Sequence, residues 1–378
     1  TVDIGPGSPT GIVAGMGTKF PAKYQDAIFA LDWTFGTIYA IHTRPDGAGY
    51  RGVSEPFCHG APLPVTDAIV GNDGALYFTI GGRGAQSALF RITYVGDEST
   101  AAVGPAQPSA AVVQRRQLET YHGRENAAAI ATAWPFLSSS DRWLRHAARI
   151  AIESQPVADW APKVYRESDT QARITGAVAL SRSAGTAASR ETDPDAATLE
   201  SYRIPLLSSL VALDAAGLPD SQLLGMLRAY SLAFIRLGKP NSAERSQIIA
   251  QLEPLLPSKN ADVNTELVRV LVYLQSPHVI EKTIQLISQR GAPDVPDWVE
   301  LAGRNAGYGG GILRMLNDHP PTREINYAFM LRNLKEGWTL QQRRVFFEFL
   351  NAASKHPGGN SYGKFLTNLR DEALGLCT

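Results

Sequence analysis

Apolar and polar residues alternate along the N-terminal part of the chain, up to about Val95. β-Branched and aromatic residues fill many of the apolar positions, a pattern typical of short antiparallel strands. Between two of these segments, Gly74 can take the positive φ that a hairpin turn after Asn72 and Asp73 requires. The pattern predicts strands at Ala27–Leu31, Thr37–His42, Thr66–Val70, Ala75–Thr79 and Ala88–Tyr94.

Two of the strand-turn-strand stretches look alike, ALDWTFGTIYAIH and AIVGNDGALYFTI. They start about 40 residues apart, which is the blade period of a β-propeller. A propeller needs roughly four to eight blades to close on itself, and this chain has sequence for about two. The repeat therefore predicts an incomplete β-propeller segment, whose remaining blades lie on the same parent chain or on another protein chain.

Beyond Val95, the stretch GDESTAAVGPAQPSAAVV is a linker rich in Pro, Ala, Ser and Gly. The apolar positions after it recur every three or four residues, as in amphipathic helices. The predicted fold is therefore mixed, β and then α. Residues 1–104 form a partial β-propeller of about two blades, and residues 105–378 form a HEAT-like helical repeat domain.

Helix boundaries follow from capping residues. Ser140 is the predicted N-cap of the helix in SSSDRWLRHAARIAIES, and Asp169 that of the helix in DTQARITGAVALSRS. About ten helices are more than one bundle core conveniently covers, which favours an α-solenoid over a compact bundle. Further helices are predicted at Leu199–Ala216, Ser221–Leu237, Ala243–Leu256, Asn264–Leu274, His278–Arg290, Glu324–Leu334, Thr339–Lys355 and Ser361–Leu376.

Composition narrows the classes of partner. The 36 basic and 36 acidic residues give no net charge, so the chain lacks the overall basic character of a nucleic-acid binder. No apolar run reaches the roughly 18 residues that a membrane-spanning helix needs. The start, TVDIGPGSPTG, reads as a Gly/Pro loop entering a structure already under way, and suggests a processed or partial chain.

Two cysteines occur, Cys58 and Cys377. They lie too far apart in sequence for a zinc, redox or haem-attachment motif. An oxidising compartment would permit a disulfide between them, and the sequence leaves that pairing open.

Several motifs together resemble a known family. TGIVAGMGTKFPAKYQDAIFALDWTFGTIYAIH, PLPVTDAIVGNDGALYFTIGGRGAQSALFRITYVG, RWLRHAARIAIESQPVADW, YSLAFIRLGKP, LVYLQSP and GGNSYGKFLTNLRDEAL occur in this order. They look like large exported bacterial proteins described as membrane-bound dehydrogenases, which combine a sugar-dehydrogenase-like β-propeller, a HEAT-like helical region and a C-terminal haem c domain. The resemblance covers the end of the propeller and the helical region. It implies a periplasmic or secreted bacterial setting close to electron transfer.

The resemblance also indicates which cofactors to expect. Haem c would lie in a part of the parent protein beyond residue 378. Soluble quinone-dependent sugar dehydrogenases carry basic residues just before the position of Asp67, whereas this chain has Pro64, Val65 and Thr66. The carboxylates of a pyrroloquinoline quinone (PQQ) would lack charge-assisted partners there. We therefore expect no cofactor in this chain.

The candidate ligand-binding residues lie in the predicted propeller motifs: Asp32, Trp33, His42, Asp67 and Arg83. The alternative is structural, because Asp caps turns, Trp packs between blades and Arg pairs with carboxylates. The loop Gly81-Gly82-Arg83 is the one most worth testing for ligand contact. No metal site is expected, since no histidine pair has the spacing of a helical metal site.

Two glycine-rich stretches imitate phosphate-binding loops. GGNSYGKF, residues 358–365, has Phe365 where a magnesium-binding hydroxyl is needed, so we interpret it as a helix end followed by a Ser361 cap. GRNAGYGGG, residues 303–311, lacks a lysine and a preceding strand. It is predicted to be a flexible loop between helices, available as a contact surface.

Two functions remain open. In the first, the chain is a binding or scaffold module beside an electron-transfer unit, and recognises another protein or a carbohydrate. In the second, the propeller carries an active site that oxidises a sugar or an alcohol. The first is favoured for this chain, because its sequence contains no catalytic triad, carboxylate pair or cofactor loop.

Overall fold

The computed structural model describes residues 2–104, 106–186, 194–290, 297–358 and 361–376. The chain forms two compact units, named here by their main elements. The sheet unit comprises Thr1–Ser109, Pro293–Pro320 and Pro357–Gly359. The helical unit comprises Ala110–Ala292, Pro321–His356 and Asn360–Thr378. The domain boundary near residue 105 stays a prediction, because it concerns whether the two parts of the chain fold independently.

The strands of the sheet unit pair in two antiparallel sheets, ordered β1-β2-β3-β4 and β5-β6-β7. A short helix, α1 (Ala22–Gln25), precedes β2. The strands are β1 (Pro9–Ala14), β2 (Ile28–Asp32), β3 (Thr37–Asp46), β4 (Gly49–His59), β5 (Val65–Val70), β6 (Leu76–Gly82) and β7 (Ala85–Ile92).

The two sheets share one apolar core. Alternation along β2 turns Phe29 and Leu31 inward, and both are fully buried. Leu76 and Phe78 of β6 belong to the same cluster of buried side chains. Burying one large apolar side chain stabilises a fold by about 1.5–3 kcal/mol. Burial of this shared core therefore contributes most of the free energy that holds the two sheets together.

The predicted β-propeller is therefore wrong. The two similar stretches do form strand-turn-strand units, β2-β3 and β5-β6. However, the described residues form two small sheets of four and three strands rather than blades around an axis. A repeat of about 40 residues indicates that hairpins recur along the chain. It does not determine how those hairpins pack together. The alternative function, sugar or alcohol oxidation, assumed such a propeller and stays a prediction.

Several helices of the helical unit begin at a side-chain cap. Asp141, rather than the predicted Ser140, begins α4, because its carboxylate accepts hydrogen bonds from the Trp143 and Leu144 amides. Asp169 caps α6 as predicted. The helices are α2 (Ala110–Glu119), α3 (Ala129–Ala133), α4 (Arg142–Glu153), α5 (Val157–Arg166), α6 (Thr170–Ala184), α7 (Ala196–Val211), α8 (Asp220–Arg236), α9 (Ser242–Leu252), α10 (Ala261–Tyr273), α11 (Val279–Ser288), α13 (Thr322–Leu331), α14 (Leu340–Ala353) and α15 (Tyr362–Gly375).

The predicted HEAT-like α-solenoid is also wrong. A solenoid repeats one helical pair, and each repeat contacts only its neighbours. Here the helices vary in length, short 3-10 helices such as Trp134–Ser138 interrupt them, and one continuous apolar core runs from Leu118 to Ala373. Helical periodicity located helices such as α4 and α6 but could not report this irregular arrangement. Among the described residues, no helix is long and apolar enough to span a membrane.

Residues 297–320 belong to the sheet unit, although the sequence placed them in the helical region. The segment contains a 3-10 helix, Asp297–Arg304, followed by α12 (Ala306–Asp318). The stretch GRNAGYGGG is therefore helical from Ala306 onward, and the predicted flexible loop is wrong. Gly309 of α12 lies against the backbone of the 3-10 helix. Only glycine fits there, because a Cβ atom would overlap the carbonyl oxygen of Ala302.

Candidate functional site

Arg83 occupies a strained position in the turn between β6 and β7. Its φ is +50°, in the left-handed region, between Gly82 at +96° and Gly84 at +80°. That conformation costs a non-glycine residue about 1–2 kcal/mol. Strain of this kind is concentrated at functional sites, where the side chain is needed despite its cost. The outlier makes Arg83 the first candidate for ligand contact.

Trp33 connects the two sheets at this turn. It lies between β2 and β3, and its indole Nε1 donates a hydrogen bond to the carbonyl oxygen of Gly81 at 2.8 Å. The indole is only half-buried. Two residues predicted from separate motifs, Trp33 and Arg83, therefore lie at one place.

Residues 304–308 complete this region. Arg304 Nη1 donates to the Thr37 hydroxyl at 3.1 Å, and Asn305 Nδ2 donates to the Thr34 carbonyl at 2.7 Å. These bonds attach the start of α12 to the β2-β3 turn. They bring Tyr308, which is 42% exposed, next to Trp33.

We call Trp33, Arg83 and Tyr308 the Trp33 cluster. The Arg83 guanidinium carbon lies 5.6 Å from the Trp33 ring centroid and 5.9 Å from that of Tyr308, within cation–π range. Arg83 Nη1 also donates to the Tyr308 hydroxyl at 2.5 Å. The two rings meet edge to face, with centroids 6.0 Å apart. No carboxylate among the described residues pairs with Arg83, and the residue is exposed.

Asp32 serves the fold rather than a ligand. Its side chain is 3% exposed. Oδ1 accepts hydrogen bonds from the Ser8 and Thr34 amides at 2.8 and 3.1 Å, and Oδ2 accepts one from the Phe35 amide at 2.9 Å. A carboxylate saturated by backbone donors has little capacity left for a ligand. Asp32 therefore shapes the turn that presents Trp33.

His42 lies in a different, shallow recess of about 350 Å³. Its Nδ1 is 3.1 Å from the Lys23 carbonyl oxygen, and its Nε2 is 3.2 Å from Glu55 Oε1, which is ion-pair distance. The contact with His42 is the largest cause of a lowered pKa at Glu55, with Tyr24 and Lys23 contributing further. These interactions hold α1 against β3 and β4. No contact between described residues joins His42 to the Trp33 cluster.

Asp67 is exposed on β5, where the pairing with β6 is irregular. Its Oδ1 accepts a hydrogen bond from the Ala68 amide at 2.8 Å. Within the described part of the chain, Asp67 has no contact with Trp33 or Arg83. Of the five predicted site residues, Trp33 and Arg83 lie together. Asp32 stabilises the turn that carries Trp33. His42 and Asp67 lie elsewhere in the sheet unit.

The Asp73 turn between β5 and β6 is held by a structural ion-pair network. Asp73 Oδ2 accepts hydrogen bonds from Arg91 Nη2 at 2.7 Å and from the Tyr77 hydroxyl at 2.9 Å. The Arg91 bond, followed by the Ala75 amide and Tyr77, lowers the pKa of Asp73 to about 2. Asn72-Asp73-Gly74 does turn β5 into β6, and Gly74 has the required positive φ of +81°.

The described residues contain neither a metal-binding cluster nor a reactive cysteine. No three His, Cys, Asp or Glu side chains there group closely enough to hold a metal ion. Cys58 is half-buried, and burial raises the pKa of its thiol, which makes it a weak nucleophile. Cys377 lies outside the described residues, so the pairing of the two cysteines stays open.

Tyr308 was missed by the sequence reading. The only available signal was a tyrosine with adjacent glycines in GRNAGYGGG, which the phosphate-loop comparison set aside. Arg304 and Asn305, which attach that segment to the β2-β3 turn, gave no pattern at all. Their role depends on a contact between positions more than 260 residues apart.

Comparison of the chain with protein-family models, with curated proteins and with solved structures returns no match. The family resemblance therefore rests on the motifs quoted above alone. The Trp33 cluster has to be interpreted from its own chemistry.

Proposed function

We propose that the sheet unit is a binding module whose ligand surface is the Trp33 cluster, and that its ligand is an acidic carbohydrate. The observation that carries this proposal is Arg83 itself. It takes a strained left-handed conformation between two glycines, and its guanidinium lies within cation–π range of two partly open aromatic rings. The cluster contains no nucleophile and no acid–base pair, which favours binding over catalysis.

The chemistry of the three side chains supports this ligand class. Both rings offer apolar faces to a sugar ring, and the Tyr308 hydroxyl, which accepts a hydrogen bond from Arg83, can still donate one to a sugar hydroxyl. A guanidinium presents donors in a fork that matches a carboxylate bidentately. Because no described carboxylate neutralises Arg83, a uronic acid would supply the missing anion.

The wider setting that we propose comes from the family resemblance alone. This module would belong to a periplasmic or secreted bacterial protein, next to an electron-transfer unit that carries haem c elsewhere in the parent chain. Haem staining of the parent protein, purified from its natural source, tests that setting separately from ligand binding. A parent protein without haem would contradict the setting and leave the binding proposal intact.

Isothermal titration calorimetry tests the ligand class. Trigalacturonate should bind the whole chain, whereas the neutral sugar maltotriose should bind at least about tenfold more weakly, since it cannot pair with Arg83. Arg83→Ala should abolish this preference. The matched control is Arg51→Ala, which removes another exposed arginine of the sheet unit. Equal binding of both sugars, or no loss in Arg83→Ala, would contradict the proposal.

A further inference from the structure

We propose that a cation-lined groove on the helical unit binds an acidic segment of another polypeptide. The groove consists of two adjoining cavities of about 410 and 520 Å³. Arg245, Gln275 and Asn333 line both cavities and therefore mark their junction. Each cavity has a volume typical of ligand sites, roughly 300–1,000 Å³. This site is independent of the Trp33 cluster, which lies in the other unit.

The ends of several helices form the walls. Lys239 follows α8, Gln275 follows α10, and Asn333 and Lys335 follow α13. Arg245 of α9 fixes the junction, because its Nε donates to the Leu274 carbonyl at 2.6 Å and its Nη2 to the Gln275 carbonyl at 3.0 Å. The groove is therefore bounded by hydrogen-bonded helix ends.

Positive charge exceeds negative charge along the groove. Lys239, Arg245, Arg269 and Lys335 line it, with Glu336 as the acidic lining residue. Arg269 pairs with Glu266, whereas Arg245 binds neutral carbonyl groups. Within the described part of the chain, no carboxylate lies within ion-pair distance of the Lys239 or Lys335 ammonium group. An anionic partner would complement this excess.

The lining between the cations favours a polypeptide over a nucleic acid. The apolar lining residues Val272, Met330 and Ile280 are almost fully buried, so they contribute little contact surface. The side-chain amide of Gln275 can both donate to and accept from a peptide backbone. Tyr273, by contrast, is 45% exposed and stacks on Phe234, so it offers an apolar contact to a segment of alternating acidic and apolar residues. A nucleic acid would instead call for cations along the whole track.

Fluorescence anisotropy with the whole chain tests the proposal. The probe is a fluorescein-labelled peptide of repeating Glu-Leu-Gly units, and a Lys-Leu-Gly peptide is its matched control. The acidic peptide should bind, and its affinity should fall as salt is added. The double variant Lys239→Glu/Lys335→Glu should weaken binding by about tenfold or more, because two attractions become repulsions.

Lys355→Glu is the control variant, since it makes the same charge change at an exposed position of the helical unit outside the groove. It should change the affinity by less than about twofold. Lys239→Gln/Lys335→Gln should show an intermediate loss, and keeps the test usable if the charge reversal harms folding. The proposal is overturned by an acidic peptide that does not bind, by equal effects of groove and control variants, or by tighter binding of labelled oligo-dT than of the peptide.

Discussion

Two turns of the sheet unit, both predicted as ligand sites, have opposite physical characters. The Asp32 turn is buried, and three backbone amides saturate its carboxylate. The Arg83 turn is exposed and strained, and the Arg83 guanidinium has further N–H donors beyond the one bonded to Tyr308. A polar residue in a turn motif is therefore not always a ligand-binding residue. Arg83 is the ligand candidate, because its guanidinium has unused hydrogen-bond donors and its backbone is strained. Asp32 has neither property and stabilises the turn.

The largest expected effect tests the structural side of this comparison. Asp32→Ala should lower the free energy of unfolding by about 3–5 kcal/mol, because three backbone amides, two of them buried, lose their acceptor. Chemical denaturation followed by circular dichroism measures the change. Asp67→Ala is the control at an exposed carboxylate, and should cost less than about 1 kcal/mol. Similar losses in the two variants would contradict a special structural role for Asp32.

A smaller effect should follow from Gly309→Ala. The new methyl group would overlap the Ala302 carbonyl, so α12 must shift, at a cost of about 1–3 kcal/mol. The shift would also displace Tyr308 and weaken binding of trigalacturonate.

Gly311→Ala is the matched control for that change. Gly311 lies in the same helix, and a Cβ atom there meets no neighbouring atom within 4 Å. It should stabilise the chain by up to about 1 kcal/mol through helix propensity and leave binding unchanged. Thermal unfolding and calorimetry report both quantities. Weaker binding in Gly311→Ala but not in Gly309→Ala would argue against the contact between Tyr308 and Trp33.

The smallest expected effect concerns pH. The pKa of Asp73 is lowered from 3.8 to about 2 in the folded chain. Because the folded value lies below the unfolded value, the stability from Asp73 is fully present above about pH 4 and lost as the pH falls through about 2. The stability difference between the wild type and Asp73→Asn should therefore shrink across that window. A difference that stays constant down to pH 2 would rule out the ionised network.

Local structure was more predictable than its assembly. Alternation located the β2-β3 and β5-β6 hairpins, and Gly74 gave the turn, because these depend on residues near in sequence. β1 and β4 were missed, since their residues are mostly exposed or only half-buried and show no apolar alternation. How the two sheets pack over one core depends on contacts across the unit, which no local pattern encodes.

The candidate site was predictable only in part. Trp33 and Arg83 stood out as large or charged residues inside turn motifs. Their meeting depends on one indole hydrogen bond to Gly81, and Tyr308 reaches them only because a distant helix attaches to the β2-β3 turn. Long-range contacts of this kind leave no spacing in the sequence.

The most direct test replaces Arg83 by glycine and measures two quantities on the same protein. Glycine takes a positive φ without strain, so Arg83→Gly should raise the free energy of unfolding by about 1 kcal/mol. The same variant should lose the binding of trigalacturonate. Stability up and binding lost would show that Arg83 is kept at a conformational cost for its ligand. A less stable variant that still binds trigalacturonate would contradict this.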